Sequence, residues 1–113
     1  MNRRGQAGEL LAAEFLQRQG LRVLQRNYLC RMGEIDLVCA DAEVLVFVEV
    51  RQRSSDRYGG AAASITAAKQ ARLQAAARHY LMRLGRFPPC RFDVILVSGK
   101  QQHVEWLRSA FEA

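Results

Sequence analysis

The chain has little of what redox, zinc or membrane proteins require. Its three cysteines, Cys30, Cys39 and Cys90, are odd in number and lack the spacing of a metal-binding motif. Its two histidines, His79 and His103, are isolated from each other and from the cysteines, and we expect both to be structural. Carboxylates and basic groups are therefore the remaining candidates for chemistry.

Long apolar runs are also missing. No apolar stretch approaches the roughly 20 residues of a membrane-spanning helix, and residues 1–5 lack the apolar core of a signal peptide. Repeats and low-complexity tracts are absent as well. We expect a cytoplasmic protein with no membrane partner, folded as a single domain over residues 1–113, because this length suffices for one core and not for two.

Lysine is scarce although the chain is basic. Of the 17 basic residues only Lys69 and Lys100 are lysines, and the formal net charge is +6. A basic excess on a small domain favours an anionic partner, and nucleic acid is the first candidate. The excess alone does not identify that partner, because many basic proteins bind nothing specific.

The most informative segment places charged residues in strands that are otherwise apolar. It comprises residues 33–38 and 47–51, separated by a polar break at residues 41–43 that predicts a hairpin turn. Charged side chains are rarely buried unless they are paired or bind a metal. This hairpin is therefore the first place to look for function.

The register of the hairpin follows from the alternation of side chains between the two faces of a sheet. If the turn centres on residues 42–43, Asp36 lies opposite Glu49, and Glu34 lies opposite Arg51. A four-residue loop keeps this parity, whereas a three-residue loop scatters the acids over both faces. The other face is then wholly apolar and faces the core; its members are Ile35, Leu37, Cys39, Val46, Val48 and Val50.

Two opposed carboxylates would repel each other at neutral pH unless a cation lay between them. Ligation by oxygen alone suits Mg²⁺ or Mn²⁺ rather than zinc. We therefore predict Asp36 and Glu49 as ligands of Mg²⁺ or Mn²⁺. The alternative is a cross-strand ion pair between Glu34 and Arg51, which leaves the two opposed acids unexplained.

Apolar periodicity predicts the other elements. They are a helix over residues 4–19, a strand over 21–28, a glycine-bearing loop over 53–63, a helix over 66–84, a strand over 91–97, and a short strand with a turn over 103–111. The predicted fold class is α/β, a mixed sheet flanked by helices in the order helix, three strands, helix, strand.

Two helical side chains lie on faces that point toward the hairpin. Glu9 shares a helical stripe with Ala12 and Leu16, and Lys69 lies one turn before Leu73 on the core-facing stripe of the second helix. Each has an ordinary alternative. Glu9 is then a first-turn acid favoured by the helix dipole, and Lys69 a surface lysine whose amine reaches water.

With these residues in view, the chain resembles the restriction-endonuclease-like, PD-(D/E)xK, nuclease core. Nearly all of it is similar to the uncharacterised YraN-like bacterial proteins, which in turn resemble archaeal Holliday-junction resolvases. The residues that carry the resemblance are Gly8, Glu9, Gly33, Glu34, Ile35, Asp36, Leu37, residues 47–53 and Lys69.

The resemblance implies a site that holds one or two divalent cations, with Asp36 and Glu49 as the metal ligands. Glu9 is then the helix-borne acid that completes the site, and Glu34 an outer ligand or a support for Arg51. The implied activity is hydrolysis of DNA phosphodiester bonds, with branched DNA as one candidate substrate. A homodimer follows by analogy with the resolvases alone.

One position departs from the nuclease pattern, because Arg51 stands where the family has lysine. Arginine can neutralise a phosphate oxygen, but it stays protonated and cannot readily act as a base. Three interpretations are open. Arg51 supplies the electrostatics while the metal activates water, or Lys69 takes over the role, or the site binds metal and nucleic acid but cleaves poorly. The alternative function is thus a nucleic-acid-binding module on a nuclease-like scaffold.

The glycine-bearing loop supplies the predicted nucleic-acid-binding residues Arg53, Arg57 and Tyr58. Contacts of such residues with the phosphate backbone position a substrate without reading its sequence. The chain has no base-reading motif, so we expect structure-selective or non-specific binding. The alternative is that the loop is an ordinary solvated basic surface.

Overall fold

The described part of the chain contains two helices and five strands, in the predicted order with one more complete strand at the end. A computed structural model describes residues 3–53, 65–99 and 101–112. The elements are α1 (Arg3–Arg18), β1 (Arg22–Cys30), β2 (Gly33–Asp41), β3 (Val44–Arg53), α2 (Ala67–Leu84), β4 (Cys90–Ser98) and β5 (His103–Phe111). The predicted α/β class is confirmed. Among the described helices, none has the length and apolar character needed to cross a membrane.

The five strands form a single mixed sheet in the order β1-β2-β3-β4-β5. Strands β3 and β4 are parallel, and the other neighbouring strands are antiparallel. A parallel pair needs a long crossover connection, and here that crossover contains α2. The crossover places α2 on one face of the sheet, and α1 packs on the other face.

Each face of the sheet has its own apolar core. The core on the α1 face consists of Ala12, Ala13, Leu16, Leu21, Leu37, Cys39, Val46, Val48, Ile95 and Val97. The core on the α2 face consists of Tyr28, Ile35, Val38, Leu45, Phe47, Leu73, Ala76, Ala77 and Phe92. Because both faces are covered, any charged side chain in the central strands is held near apolar groups.

Capping residues fix both ends of α2. The Thr66 hydroxyl accepts a hydrogen bond from the Lys69 backbone N–H at 3.1 Å, which is the usual role of threonine at a helix start. At the other end Gly85 has φ 81° and donates its N–H to the Leu81 carbonyl, a conformation that favours glycine. The N-terminal cap places Lys69 in the first turn of the helix.

The β2–β3 hairpin has the predicted register along most of its length. Asp41 pairs with Val44 across the two-residue turn, and the pairing continues to Leu37 opposite Val48. The turn accommodates Ala42 at φ 53°. The two-residue alternative is therefore confirmed over the four-residue one.

Beyond its last pair the hairpin opens. The predicted pairs of Asp36 with Glu49 and of Glu34 with Arg51 are not part of the described backbone ladder. In place of a ladder bond, the Asp36 carboxylate accepts a hydrogen bond from the Val50 N–H at 2.8 Å. The carboxylate thus lies between the two separating strands.

The predicted apolar face is wrong at one residue. Leu37 and Cys39 belong to the core on the α1 face, but Ile35 packs in the α2 core beside Leu73. Strict alternation fails here because β2 leaves β3 at this point, while Asn27 in the adjoining strand has φ 54°. As a result Glu34 and Asp36, which flank Ile35, do not lie on the face of the sheet that strict alternation assigns to them.

The C-terminal tail is a full strand rather than a short strand with a turn. The fully buried Asp93 of β4 accepts hydrogen bonds from the Trp106 indole N–H at 2.9 Å and from the Ser109 backbone N–H at 2.9 Å. Arg91 donates to the same carboxylate. Anchoring to this buried acid explains why β5 continues to Phe111.

Candidate active site

Three of the four predicted acids meet where β2 and β3 separate. Glu9 comes from α1, and Glu34 and Asp36 come from β2. One carboxylate oxygen of each lies within 4.8 Å of the others. Glu9 reaches this point because its helical stripe faces the sheet, as the spacing predicts. We call these three residues the acid cluster.

Glu49 lies beside the acid cluster and contacts two basic side chains. Its Oε2 is 3.5 Å from the Lys69 Nζ and 4.0 Å from the Arg51 Nη1. Glu49 is buried, whereas both basic side chains are 34% exposed, so they can contact Glu49 and a ligand together. The alternative ion pair between Glu34 and Arg51 is not found among the described residues, because the strands separate before these two can face each other.

Burial and mutual repulsion raise the pKa of two of these carboxyls. The pKa of Glu9 rises to about 7, first through burial and then through the charge of Asp36. The pKa of Glu49 also rises to about 7 for the same two reasons, although Lys69 opposes the shift. Nearby acids repel each other's charge and so favour the protonated form. At neutral pH each of these two carboxyls is therefore near the midpoint of its titration, and a bound cation would favour the ionised form of both.

The donor atoms fit a hard divalent cation. Glu9 Oε1 is buried and has no hydrogen-bond partner among the described residues, and an unpaired buried oxygen is costly. The acid cluster offers only carboxylate oxygens, which are the ligands that Mg²⁺ and Mn²⁺ prefer. Structural zinc sites use nitrogen and sulfur ligands, and the cluster has neither. A cation among these oxygens would satisfy Glu9 and offset the repulsion.

Two neighbours of the acid cluster, Asn27 and Gly8, have no structural role assigned to them from the sequence. A hydrogen bond from the Asn27 side chain to Glu9 lowers the pKa of that carboxyl and partly opposes the other effects. The helix α1 passes close to β3 at Gly8, where a Cβ would lie 3.2 Å from the end of the Gln52 side chain. Gly8 can be singled out in the sequence because it directly precedes Glu9, whereas nothing in the strand pattern distinguishes Asn27.

The predicted nucleic-acid-binding residues are not tested by the structure. Arg57 and Tyr58 lie outside the described residues, as does the side chain of Arg53 at the end of β3. Their contact with a phosphate backbone stays a prediction.

The raised pKa values predict how stability changes with pH when divalent cations are removed. The Glu9 and Glu49 carboxyls titrate near 4.5 in the unfolded chain and near 7 in the folded protein, so the folded state binds more protons between these values. Their contribution to stability is complete below pH 4.5 and is lost as the pH rises through 7. Urea unfolding in EDTA will therefore give a free energy of unfolding that falls across this range.

Two variants identify the source of that slope. Glu9→Gln cannot ionise and will flatten the decline, whereas Glu43→Gln, an exposed acid in the hairpin turn, will leave it unchanged. A decline of equal steepness in the parent and in Glu9→Gln would show that Glu9 has no raised pKa.

Comparison with known proteins agrees with the resemblance seen in the sequence. The sequence model of the uncharacterised protein family UPF0102 matches residues 8–97. A UPF0102 protein of Nitrosomonas europaea is 56% identical over 110 residues, which cover 96% of this chain and 93% of that protein. A UPF0102 protein of Cupriavidus taiwanensis is 57% identical over 111 residues, covering 97% of this chain and 83% of that protein. The matched region includes the acid cluster, Glu49 and Lys69, and the chain belongs to the UPF0102 family.

Proposed function

We propose that the protein is a divalent-metal-dependent nuclease that hydrolyses phosphodiester bonds in DNA. The observation that best supports this is the meeting of Glu9, Glu34 and Asp36 within 4.8 Å at the opening of the sheet. Two partly exposed basic groups, Lys69 and Arg51, contact the neighbouring Glu49 at 3.5 Å and 4.0 Å. Metal-assisted phosphodiester hydrolysis needs carboxylates that bind a cation and positively charged side chains that bind the phosphate next to it.

Asp36 and Glu49 would hold the cation, with Glu9 and Glu34 completing the set of oxygens. A bound Mg²⁺ or Mn²⁺ supplies a water of lowered pKa and offsets the charge that builds on the phosphate. Asp36 is central to this arrangement, because its charge raises the pKa of both Glu9 and Glu49. Its hydrogen bond from the Val50 N–H orients the carboxylate between the strands.

Lys69 is the better candidate for the basic role that Arg51 leaves open. Its Nζ lies closer to Glu49 than the Arg51 guanidinium does, at 3.5 Å against 4.0 Å. The cap by Thr66 fixes the helical turn that carries Lys69. From that position the ammonium can offset charge on a phosphate oxygen while Arg51 supplies a second positive group.

A nucleic-acid-binding module with weak or no cleavage is the second candidate, and Arg51 is the observation that favours it. An arginine in this position keeps the electrostatic attraction for phosphate but cannot exchange a proton with water near neutral pH. The two candidates differ in one measurable respect, which is turnover.

The proposal is tested by incubating the protein with linear, flapped and four-way DNA in Mg²⁺, Mn²⁺ or EDTA. We expect cleavage in at least one metal and none in EDTA, and the ratio of rates on the three substrates will give the structural preference. Cleavage that persists in EDTA would contradict a metal-dependent mechanism. Binding of all three substrates without cleavage would favour the module.

A further inference from the structure

One surface carries basic side chains that the proposed chemistry does not use. It lies where α2 runs beside β1, on the face of the sheet opposite α1. We call it the α2 stripe; its members are Arg22, Arg72, Arg83 and Arg86, all exposed.

Contacts with the β1–β2 hairpin show which side of α2 carries the arginines of the stripe. Near the acid cluster, a Cβ on Gly33 would lie 3.6 Å from the Arg72 Cβ, so this arginine starts against the end of the hairpin. Two turns further along the helix, His79 shares a hydrogen bond with the Tyr28 hydroxyl of β1. The side of α2 that carries Arg72 and His79 therefore faces β1.

The same side continues to the far end of the helix. Arg83 and Gln25 line one surface depression, and Arg86 and Arg22 line the next. Residues 79 and 83 lie seven and eleven residues after Arg72, and steps built from three and four residues return to one side of a helix. Arg86 follows directly after the helix and its C-cap Gly85. The stripe is thus a continuous row from the candidate active site to the end of α2.

The length of the row suits a nucleic-acid strand. Eleven residues separate Arg72 from Arg83, which corresponds to about 16 Å at ~1.5 Å per residue. At ~3.4 Å per nucleotide of a duplex strand, that distance spans about five phosphates. Arg72 lies three residues after Lys69, so the row begins next to the site.

The stripe has few competing anions. Neither β1 nor α2 contains an aspartate or a glutamate. None of the ion pairs among the described residues involves a member of the stripe. Glu43 lines the depression that holds Arg22 and Arg86, so the positive charge is least compensated at the Arg72–Arg83 end, nearest the site.

We propose that the α2 stripe binds the phosphate backbone of the DNA that is cut at the acid cluster. The inference rests on the proposed nuclease function and deepens it by assigning a path to the substrate. The DNA leaves the site along α2 and β1, and not across β5 at the other edge of the sheet. Backbone contacts of this kind fix position and are independent of base sequence.

The chain offers a matched control for this proposal. Arg78 is exposed on α2 but faces β4, where it lines a depression with Cys90 and Phe92. Arg18 is exposed in the last turn of α1. The stripe variant Arg72→Gln/Arg83→Gln and the control Arg78→Gln/Arg18→Gln therefore lose the same charge from exposed helical positions.

The test is fluorescence anisotropy with a labelled DNA duplex in EDTA over a series of salt concentrations. We expect the stripe variant to raise Kd at least about tenfold at low salt and to reduce the slope of log Kd against log salt by about 1.8, at ~0.9 per lost phosphate contact. The control should change Kd less than about threefold. Arg72→Lys/Arg83→Lys keeps the charge and should restore most of the affinity, which would identify the charge as the contribution of these residues.

The outcomes separate this proposal from the nuclease proposal. Equal weakening by the stripe and control variants would overturn the stripe, and cleavage by the parent would still support the nuclease. A parent that neither binds nor cleaves DNA would overturn both.

Discussion

Asp36→Asn will lower the rate of metal-dependent DNA cleavage by at least about 10²–10³-fold, as when another enzyme loses a group that stabilises its transition state. Asp36 is a member of the acid cluster, and its charge also raises the pKa of Glu49. It therefore links the cluster with Glu49. The amide oxygen of asparagine can still accept the Val50 N–H, which keeps the local backbone in place. The expected defect is therefore chemical rather than structural.

Glu43→Gln is the matched control for this variant. Glu43 is exposed at the turn of the same hairpin, and its substitution removes the same charge far from the acid cluster. The control should cleave like the parent, measured by single-turnover assays in Mn²⁺. DNA affinity of Asp36→Asn should equal or exceed that of the parent, because a negative charge near the phosphate is gone. Cleavage at the parental rate by Asp36→Asn would point to a contaminating nuclease.

Lys69→Met will lower the single-turnover rate by about 10²–10³-fold, whereas Arg51→Met will lower it by about tenfold. Lys69 lies closer to Glu49, and a capped helix holds it there. It also lowers the pKa of Glu49, so its removal will move the acidic limb of the pH–rate profile upward. Arg51 also provides positive charge, but it lies on β3 and no capped helix holds it beside Glu49.

The comparison of the two methionine variants decides between the interpretations of the missing lysine. A larger loss from Arg51→Met would assign the basic role to Arg51 and overturn the assignment to Lys69. Lys69→Arg keeps the charge in a different shape, so partial activity in that variant would indicate that charge is the main contribution. Urea unfolding of each variant checks that the fold is retained.

Much of the fold follows from short-range patterns in the sequence. The polar break at residues 41–43 and the alternation on either side suffice for the turn and for the register up to Leu37 opposite Val48. Helical spacing likewise predicts that Glu9 and Lys69 face the sheet, because a helix fixes which residues share a side. These are predictions about regular elements.

The predictions that are wrong concern places where the regular geometry of the strands ends. Alternation assumes a uniform strand and cannot anticipate that the Asp36 side chain replaces a ladder bond to Val50, or that Ile35 then packs toward α2. The predicted pairing of Glu34 with Arg51 fails because the strands separate, and Arg51 contacts Glu49, its neighbour on the same face of β3. The length of β5 depends on hydrogen bonds to buried Asp93, which join residues that no local pattern connects.

The most direct test of the metal site is anomalous diffraction from crystals of the protein grown with saturating Mn²⁺. We expect an anomalous peak within about 2.3 Å of a carboxylate oxygen of Asp36, a distance near that of oxygen ligands to hard divalent cations. Glu49 or a member of the acid cluster should supply the next oxygen. Ordered Asp36 and Glu49 side chains with no peak between α1, β2 and β3 would contradict it.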